Sequence, residues 1–257
     1  DYIYPTFYEE LYKNIKKHNA DISECEFLRI SVENIENCAD IIEKANENKT
    51  VTKQKTNNIE SLNLLYGPRL KPYLKKVVVW NKLYKKSILN NIEFPVGKLH
   101  EDEYTTYKLL YNSKKIISTN RILHGYIQTK NSIMRQEIKQ QRIIDNLDAY
   151  YQSSKFFSNE NQEIEIKSRR RYLENCIELS GKVYKSNGKD KKQQLLFIAN
   201  LYKENYELYI DRIEKLTEDE KEMKIVNLLI EAYEKMLEHT ILLPEYWEQL
   251  EKIINKE

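Results

Sequence analysis

The feature that most constrains the fold is a change in the spacing of apolar residues near residue 130. Up to that point, short apolar runs and alternating stretches lie between turn residues, which is typical of strands mixed with helices. Beyond Ile133 the apolar residues recur at the 3.6-residue period of amphipathic helices. Three such faces are Ile143, Leu147 and Tyr150; Leu173, Cys176, Ile177, Ser180 and Tyr184; and Ile225, Leu228, Leu229, Ala232 and Met236. The pattern predicts an α/β region followed by an all-helical C-terminal region.

Several elements are predicted within the α/β region. The helix over residues 6–18 has Thr6 as its expected N-cap and a stripe of Phe7, Leu11 and Ile15. The β-branched run from Val77 to Trp80 predicts a buried strand. Further helices are predicted over 85–90 and 102–112, and further strands over 21–30 and 92–94 and as a pair within 116–127. Residues 31–65 are expected to form a flexible insertion with one short helix over 39–45.

The composition is that of a globular protein, and its charge balance does not indicate a strongly charged partner such as nucleic acid. Of the 257 residues, 40% are hydrophobic and 32% are charged, so apolar residues suffice for a packed core. Lys and Arg number 42 and Asp and Glu number 40, and this balance excludes a general attraction to nucleic acid. The basic run 167–171 is flanked by acids, which weakens a local nucleic-acid site as well. No apolar run approaches the roughly 18 residues that a membrane-spanning helix needs.

Cysteine spacing and the first residues bear on the cellular setting. Cys25, Cys38 and Cys176 show no paired spacing, which disfavours a zinc site or a disulfide framework and favours a reducing compartment. The chain begins at Asp1 without an initiator Met or a signal-peptide pattern, so it reads as though it begins within a longer protein. A cytoplasmic location is expected.

The most specific stretch lies between residues 80 and 135. It contains WNKLY, then IEFPVGKLHEDE, then NSIMR. Glu101 and Asp102 open the helix predicted from residue 102. Acids are favoured in the first turn of any helix, because the N-terminus carries partial positive charge. Three acids in a row would therefore indicate only a helix start, and the flanking motifs point to more.

This order of motifs resembles the acceptor-side half of bacterial family 2 glycosyltransferases of the GT-A fold, which decorate cell-envelope polysaccharides. The matching residues are Trp80, Lys82, Leu83, Tyr84, Phe94, Pro95, Gly97, Glu101, Asp102, Ser132, Ile133 and Met134. The start of the chain is similar to the segment that follows the metal-binding acids of the family. The resemblance covers residues 1–30 and 76–135. Ile127 departs from it, because the family often has Arg at that place.

The resemblance implies a partial, Rossmann-like GT-A domain over residues 1–135 and a helical region over 136–257. It implies an inverting, hexosyltransferase-like enzyme that moves a sugar from a nucleotide-diphosphate donor to a cell-surface glycan or glycolipid, with Mn²⁺ or Mg²⁺. The nucleotide-binding strands and metal-binding acids of the family would precede Asp1. An N-terminally truncated fragment, inactive alone, is therefore expected. The inner face of the plasma membrane is an expected setting, and a peripheral membrane contact and a homo-oligomer stay open.

The resemblance also implies roles for single residues. Asp102 is expected to be the base that deprotonates the acceptor hydroxyl, with Glu101 beside it. Trp80 is either a stacking platform for the acceptor sugar or a core side chain. Lys82 either contacts phosphate or is a solvated charge at the end of a strand.

Three further residues are candidates on the donor side. Ser132 and Arg135 belong to a loop that packs over the donor in the family, where Arg135 would offer its charge to the diphosphate. Solvation at a helix start explains Arg135 equally well. His124 is a candidate metal ligand, although a lone His on a strand is more often structural.

A different class of function stays open beside the enzyme. The chain is alternatively a non-catalytic helical interaction module whose front half is a degenerate glycosyltransferase remnant. The residues encoded before Asp1 distinguish the two hypotheses, because strands and an acidic D-S-D-D run there favour the enzyme.

Overall fold

The protein is described by a computed structural model that covers residues 1–68, 70–129, 138–215 and 219–255. The chain forms two compact units. The sheet unit comprises Asp1–Leu65, Leu74–Phe94 and Thr105–Gln136, and the helical unit comprises Tyr66–Tyr73, Pro95–Tyr104 and Glu137–Glu257. A mixed α/β region is followed by a helical C-terminal region, as the apolar spacing predicts. No strand lies among the described residues after Gln128.

The sheet unit is built on two long strands that run parallel. The strands are β1 (Tyr2–Ile3), β2 (Ile22–Ser31), β3 (Lys53–Thr56), β4 (Lys82–Tyr84) and β5 (Ile116–Gln128). The order is β1-β5-β2-β4, and β3 pairs with residues 116–119 of β5, on the edge where β1 pairs farther along at His124 and Gly125. Among the described strands, only β2 and β5 pair in parallel, and the three short strands pair antiparallel to these two. The long strands therefore form the middle of the sheet.

Helices connect the strands of the sheet, and the first two of them pack against it. The helices are α1 (Phe7–His18), α2 (Cys38–Asn46), α3 (Asn58–Leu65), α4 (Leu70–Val77) and α5 (Glu101–Tyr111). Short 3-10 turns occupy Val32–Asn37 and Lys86–Leu89. The predicted stripe of α1 is confirmed, because Phe7, Leu11 and Ile15 are buried. Thr6 occupies the N-cap position as predicted, but its hydroxyl makes no capping hydrogen bond and donates to the Glu10 carboxylate at 2.8 Å.

Two predicted strands are wrong. Val77 ends α4, and the strand begins later, at Lys82. The carbonyl groups of the apolar run bond side chains rather than a neighbouring strand: Thr106 donates to the Val77 carbonyl at 2.6 Å and Lys82 to the Val78 carbonyl at 2.5 Å. Residues 92–94 form no strand either. Tertiary hydrogen bonding here overrides the local preference of β-branched residues for strands.

Two other regions differ from their predictions. Residues 116–127 form one continuous strand rather than a pair. The irregularity appears as shifts in the β2–β5 register, where β5 carries extra residues between Ser118 and Ile122 and between Ile122 and His124. Within the first of these stretches, the Asn120 side chain accepts from the Thr52 N–H at 2.9 Å. Residues 31–65 contain the predicted short helix, but also β3 and α3, so the predicted flexible insertion is an ordered part of the sheet unit.

In the described ranges 138–215 and 219–255, the helical unit has five helices around one apolar core. They are α6 (Gln140–Glu160), α7 (Gln162–Lys185), α8 (Lys191–Lys215), α9 (Glu220–His239) and α10 (Pro244–Asn255). The three predicted faces are buried except for Tyr184, which is half exposed at 50%. Side chains cap the N-termini of α7 and α9. Asn161 accepts from the Ile164 N–H and Asp219 accepts from the Glu222 N–H, both at 3.0 Å. Among the described residues, no helix has the length and apolarity that a membrane crossing requires.

Candidate active site

The predicted acidic pair lies where expected, at the start of α5 in the helical unit. Glu101 is the first helical residue and is exposed, while Asp102 is partly buried. The preceding residue, His100, has a φ of 62°, so the chain turns sharply into the helix there. The Asp102 Oδ1 accepts from the Glu103 N–H at 2.9 Å. This contact and the helix N-terminus both favour an ionised Asp102 side chain.

The loop before α5 is anchored on α6 by charged groups. Lys98 Nζ lies 3.0 Å from Asp145 Oδ1 and 3.3 Å from Asp148 Oδ2. The Leu99 N–H donates to Asp145 at 3.1 Å, and the Tyr104 hydroxyl donates to Asp148 at 2.7 Å. Burial opposes ionisation of Asp145, but the Leu99 N–H and the Lys98 ammonium outweigh it and lower its pKa. The first turn of α5 is therefore tied to α6 on both sides of Asp102.

A third acid at the start of α5, Glu103, has surroundings that its two neighbours lack. Its Oε1 accepts a short hydrogen bond from the Tyr73 hydroxyl and lies 3.0 Å from the Tyr150 hydroxyl. Burial, followed by the charge of Asp102, raises the pKa of Glu103 to about 7. Two adjacent carboxyl groups thus differ strongly in environment, which is a common property of sites that handle protons.

In the sheet unit, the structure brings together two predicted site residues, Trp80 and His124. Their rings are stacked, with centroids 4.3 Å apart. Trp80 also stacks on Tyr126 at 5.5 Å and meets the edge of Phe27 at 4.8 Å. The three partners lie on β2 and β5, so Trp80 packs across the central strands. Trp80 remains partly exposed, which leaves both of its predicted roles open.

His124 is buried inside this aromatic cluster, with 2% of its surface exposed. Burial lowers its pKa to about 4, so its imidazole is neutral at neutral pH. Its Nε2 lies 3.9 Å from the Asp1 carboxylate, and its Nδ1 has no hydrogen-bond partner among the described residues. Within the described ranges, no group of three His, Cys, Asp or Glu side chains is placed to hold a metal ion.

Lys82 is buried rather than solvated at a strand end. Its Nζ donates to the carbonyls of Lys75 at 2.7 Å and Val78 at 2.5 Å and to the Asn81 side chain at 2.7 Å. Burial lowers the pKa of Lys82 to about 8, against the opposing charge of Glu24 at 3.7 Å. All three ammonium protons therefore have acceptors inside the described part of the sheet unit. A contact of Lys82 with phosphate stays a prediction.

Two predicted site residues cannot be placed, and two residues of the site carry no sequence motif that would have identified them. Ser132 and Arg135 lie outside the described residues. Sequence reasoning noted Glu103 only as part of an acidic turn. It missed Tyr73 and Tyr150, which are 77 positions apart and belong to no common motif. Only the packing of α6 brings these hydroxyl groups together.

Comparison with known proteins supports a relationship to glycosyltransferases. No protein-family model matches the chain. The chain is similar to "Glycosyltransferase GlyA" of Streptococcus pneumoniae serotype 4, with 27% identity over 135 residues. The match covers 52% of this chain and 19% of that protein, so the chain spans about a fifth of the length of this curated relative.

Proposed function

We propose that this chain carries the acceptor-side part of an inverting glycosyltransferase. The donor is a nucleotide-diphosphate sugar, and the acceptor is a hydroxyl group of a cell-surface glycan or glycolipid. The observation that carries the proposal is the 135-residue similarity to a protein named as a glycosyltransferase. The acidic start of α5 supports it, because the glycosyltransferase resemblance assigns the reacting acid to that position.

Asp102 is the general base in this proposal. Its carboxylate takes the proton of the acceptor hydroxyl while the acceptor oxygen forms a bond to the anomeric carbon. The bond between that carbon and the donor phosphate oxygen breaks, and the nucleoside diphosphate leaves with the electron pair. The N-terminus of α5 favours the ionised carboxylate, and the ties of Lys98 and Tyr104 to α6 keep the turn in place.

A divalent cation would neutralise the leaving diphosphate in an enzyme of this kind. The residues described here do not fit such a cation, since no three potential ligands lie together among them. In this proposal no described residue binds that cation. The family resemblance assigns metal binding to a D-x-D motif, and that motif does not occur in the 257 residues.

The test compares two neighbouring acids in the longest natural reading frame that contains this chain. A general base contributes about 10²–10⁴-fold to a rate, so Asp102→Asn is expected to lower kcat by that factor. Glu101→Gln is the matched control at the exposed position and is expected to cost much less. Donor Kd should change little in both variants, since the proposed role concerns the acceptor.

Circular dichroism establishes that both variants fold. Near-normal turnover of Asp102→Asn would reduce the acidic turn to a helix cap and overturn the assignment of the base. The same assay on the 257-residue chain alone is expected to show no transfer, because the donor and metal contacts belong to motifs outside it. Sugar transfer by the isolated chain would contradict that expectation.

A further inference from the structure

The inference concerns three oxygen atoms that meet at the start of α5. They are the Glu103 Oε1 and the hydroxyl oxygens of Tyr73 and Tyr150. Each atom is within hydrogen-bond distance of the other two, and the two hydroxyl oxygens are 2.8 Å apart. The set is therefore a closed triangle rather than two separate bonds to a carboxylate.

The number of protons decides how this triangle is bonded. With Glu103 ionised, the two tyrosines supply two protons for three oxygen–oxygen contacts, and one contact brings lone pairs together. With Glu103 protonated, three protons serve three contacts. Glu103 then donates to Tyr73, Tyr73 to Tyr150, and Tyr150 back to the Glu103 carboxyl, so every hydroxyl donates once and accepts once.

We propose that Glu103 is a positioning residue for Asp102, and that its carboxyl group is protonated on the acid side of neutral pH, where it closes this ring of three hydrogen bonds. The proposal rests on the proposed function, since it takes Asp102 as the base. The ring connects the first turn of α5 to α6 through Tyr150 and to the segment 66–73 through Tyr73. A neutral Glu103 also places no second negative charge directly beside the Asp102 carboxylate.

The charged groups around the ring agree with a protonated Glu103. Asp102 on its own helix disfavours a second negative charge, and burial acts in the same direction to raise the pKa of Glu103. The hydrogen bonds from Tyr73 and Tyr150 act in the opposite direction on the pKa of Glu103, without outweighing burial and Asp102. Arg171 on α7, which lies over the Tyr73 ring at 4.6 Å, also lowers it. Its Nη1, however, is paired with Glu174 at 2.8 Å. Glu178, also on α7, acts on Tyr150 and is paired with Lys182.

The proton on Glu103 can be measured without any activity. In the 257-residue chain with ¹³C-labelled Glu side chains, one carboxyl resonance is expected to titrate between about pH 6 and pH 8, well above the ordinary range for Glu. Glu103→Gln should remove that resonance, and Glu101→Gln should leave it in place. If every Glu carboxyl titrates below pH 6, or if Glu101→Gln removes the high resonance, the ring does not hold a proton and the proposal is wrong.

The positioning role is measured by the pH profile of kcat in the longest natural reading frame. Ionisation of Glu103 breaks the ring, so kcat is expected to fall as the pH rises through about 7. Glu103→Leu removes the ring and should lower kcat by about tenfold, the rate equivalent of one net hydrogen bond. Glu103→Gln, which can donate through its amide and accept through its carbonyl, should recover most of this loss and abolish the fall with pH.

The outcomes separate this inference from the proposed function. If Glu103 titrates near 7 but the fall of kcat with pH persists in Glu103→Gln, the positioning role is overturned while Asp102 stands as the base. If Asp102→Asn keeps its turnover, the proposed function fails, and the positioning role fails with it. In that case the titration still decides whether the ring carries a proton.

Discussion

Glu24 is a carboxylate with no exposed side-chain surface, held between two lysines in the sheet unit. Its Oε1 is 2.6 Å from Lys76 Nζ, and its Oε2 is 3.7 Å from Lys82 Nζ. The Ser118 hydroxyl adds a short hydrogen bond to the same Oε1. Burial opposes its charge, but Lys76 and Lys82 outweigh this effect and lower the pKa of Glu24 to about 2. The central strand β2 is thereby linked to α4 and β4 by buried ions.

This cluster predicts an acid-sensitive component of stability. The pKa of Glu24 is lower in the folded chain than in the unfolded one, so only the unfolded chain takes up a proton as the pH falls from about 5 to about 2. The contribution of Glu24 is therefore fully present above pH 5 and is lost over that range. Breaking a buried pair costs about 3–5 kcal/mol, so Glu24→Gln should lower the free energy of unfolding at pH 7 by roughly 3 kcal/mol.

Urea unfolding followed by Trp80 fluorescence in a Trp247→Phe background measures this loss. Glu26→Gln is the matched control, because Glu26 pairs with Lys75 at 2.8 Å but is partly exposed, and it should cost about 1 kcal/mol or less. The difference between Glu24→Gln and the parent should shrink between pH 5 and pH 2. A difference that stays constant with pH would show that Glu24 is not the group that titrates.

At the scale of the elements, α7 has a glycine, and therefore no side chain, at the position where it packs against α10. Gly181 lies within α7, where glycine costs roughly 1 kcal/mol relative to alanine in helix formation. A Cβ at this position would lie closer than 3.0 Å to three atoms of Trp247 on α10. Trp247 also lies under the ammonium group of Lys185, at 3.9 Å from the ring centroid. Glycine is therefore needed for the packing of Trp247 and not for the geometry of α7.

We expect Gly181→Ala to destabilise the helical unit, although alanine favours a helix. Overpacking of a core costs about 1–3 kcal/mol, which exceeds the gain in helix propensity. The measurement is urea unfolding together with hydrogen exchange of the α10 amides, which should lose protection first. In a Trp247→Ala background the same Gly181→Ala change should cost nothing or stabilise. An equal cost in both backgrounds would mean that Trp247 is not the source of the clash.

At the scale of the whole molecule, the two compact units are not consecutive in sequence. The segments 66–73 and 95–104 belong to the helical unit, although both precede residue 136. They supply partners to buried groups of α6 and α7: Tyr73 to Tyr150, Lys98 to Asp145, and the Tyr66 carbonyl to Arg170 at 2.7 Å. The domain boundary predicted at residues 135 and 136 stays a prediction, and these contacts provide its test.

A fragment of residues 136–257 is expected to be less stable than the same helices in the whole chain. Removing the two segments takes the Lys98 ammonium and the Leu99 N–H away from Asp145 and the Tyr66 carbonyl away from Arg170. Buried polar groups cost free energy when they lose such hydrogen bonds. Thermal unfolding should occur at a lower temperature, and hydrogen exchange should show the loss of protection in α6 rather than in α9 and α10. A fragment with unchanged α6 protection would support the boundary at residue 135.

The sequence by itself determined the division between α/β and helical regions and the place of the acidic turn. These features depend on local patterns: the period of apolar residues, and the preference of acids for a helix start. For this reason α1, α5 and the stripes of α6, α7 and α9 follow from the residues alone. The stripe of Ile225, Leu228 and Leu229 is buried as its spacing predicts.

Only the tertiary structure decided which polar groups meet. Val77 is a strand former by preference, yet it ends a helix because Thr106, 29 positions away, bonds its carbonyl. Lys82 and Glu24 look like surface charges in sequence, and folding makes them a buried pair. Glu103 resembles its two acidic neighbours until Tyr73 and Tyr150 surround it. Hydrogen bonds and charges act over a few ångströms in space, so no local pattern along the chain contains them.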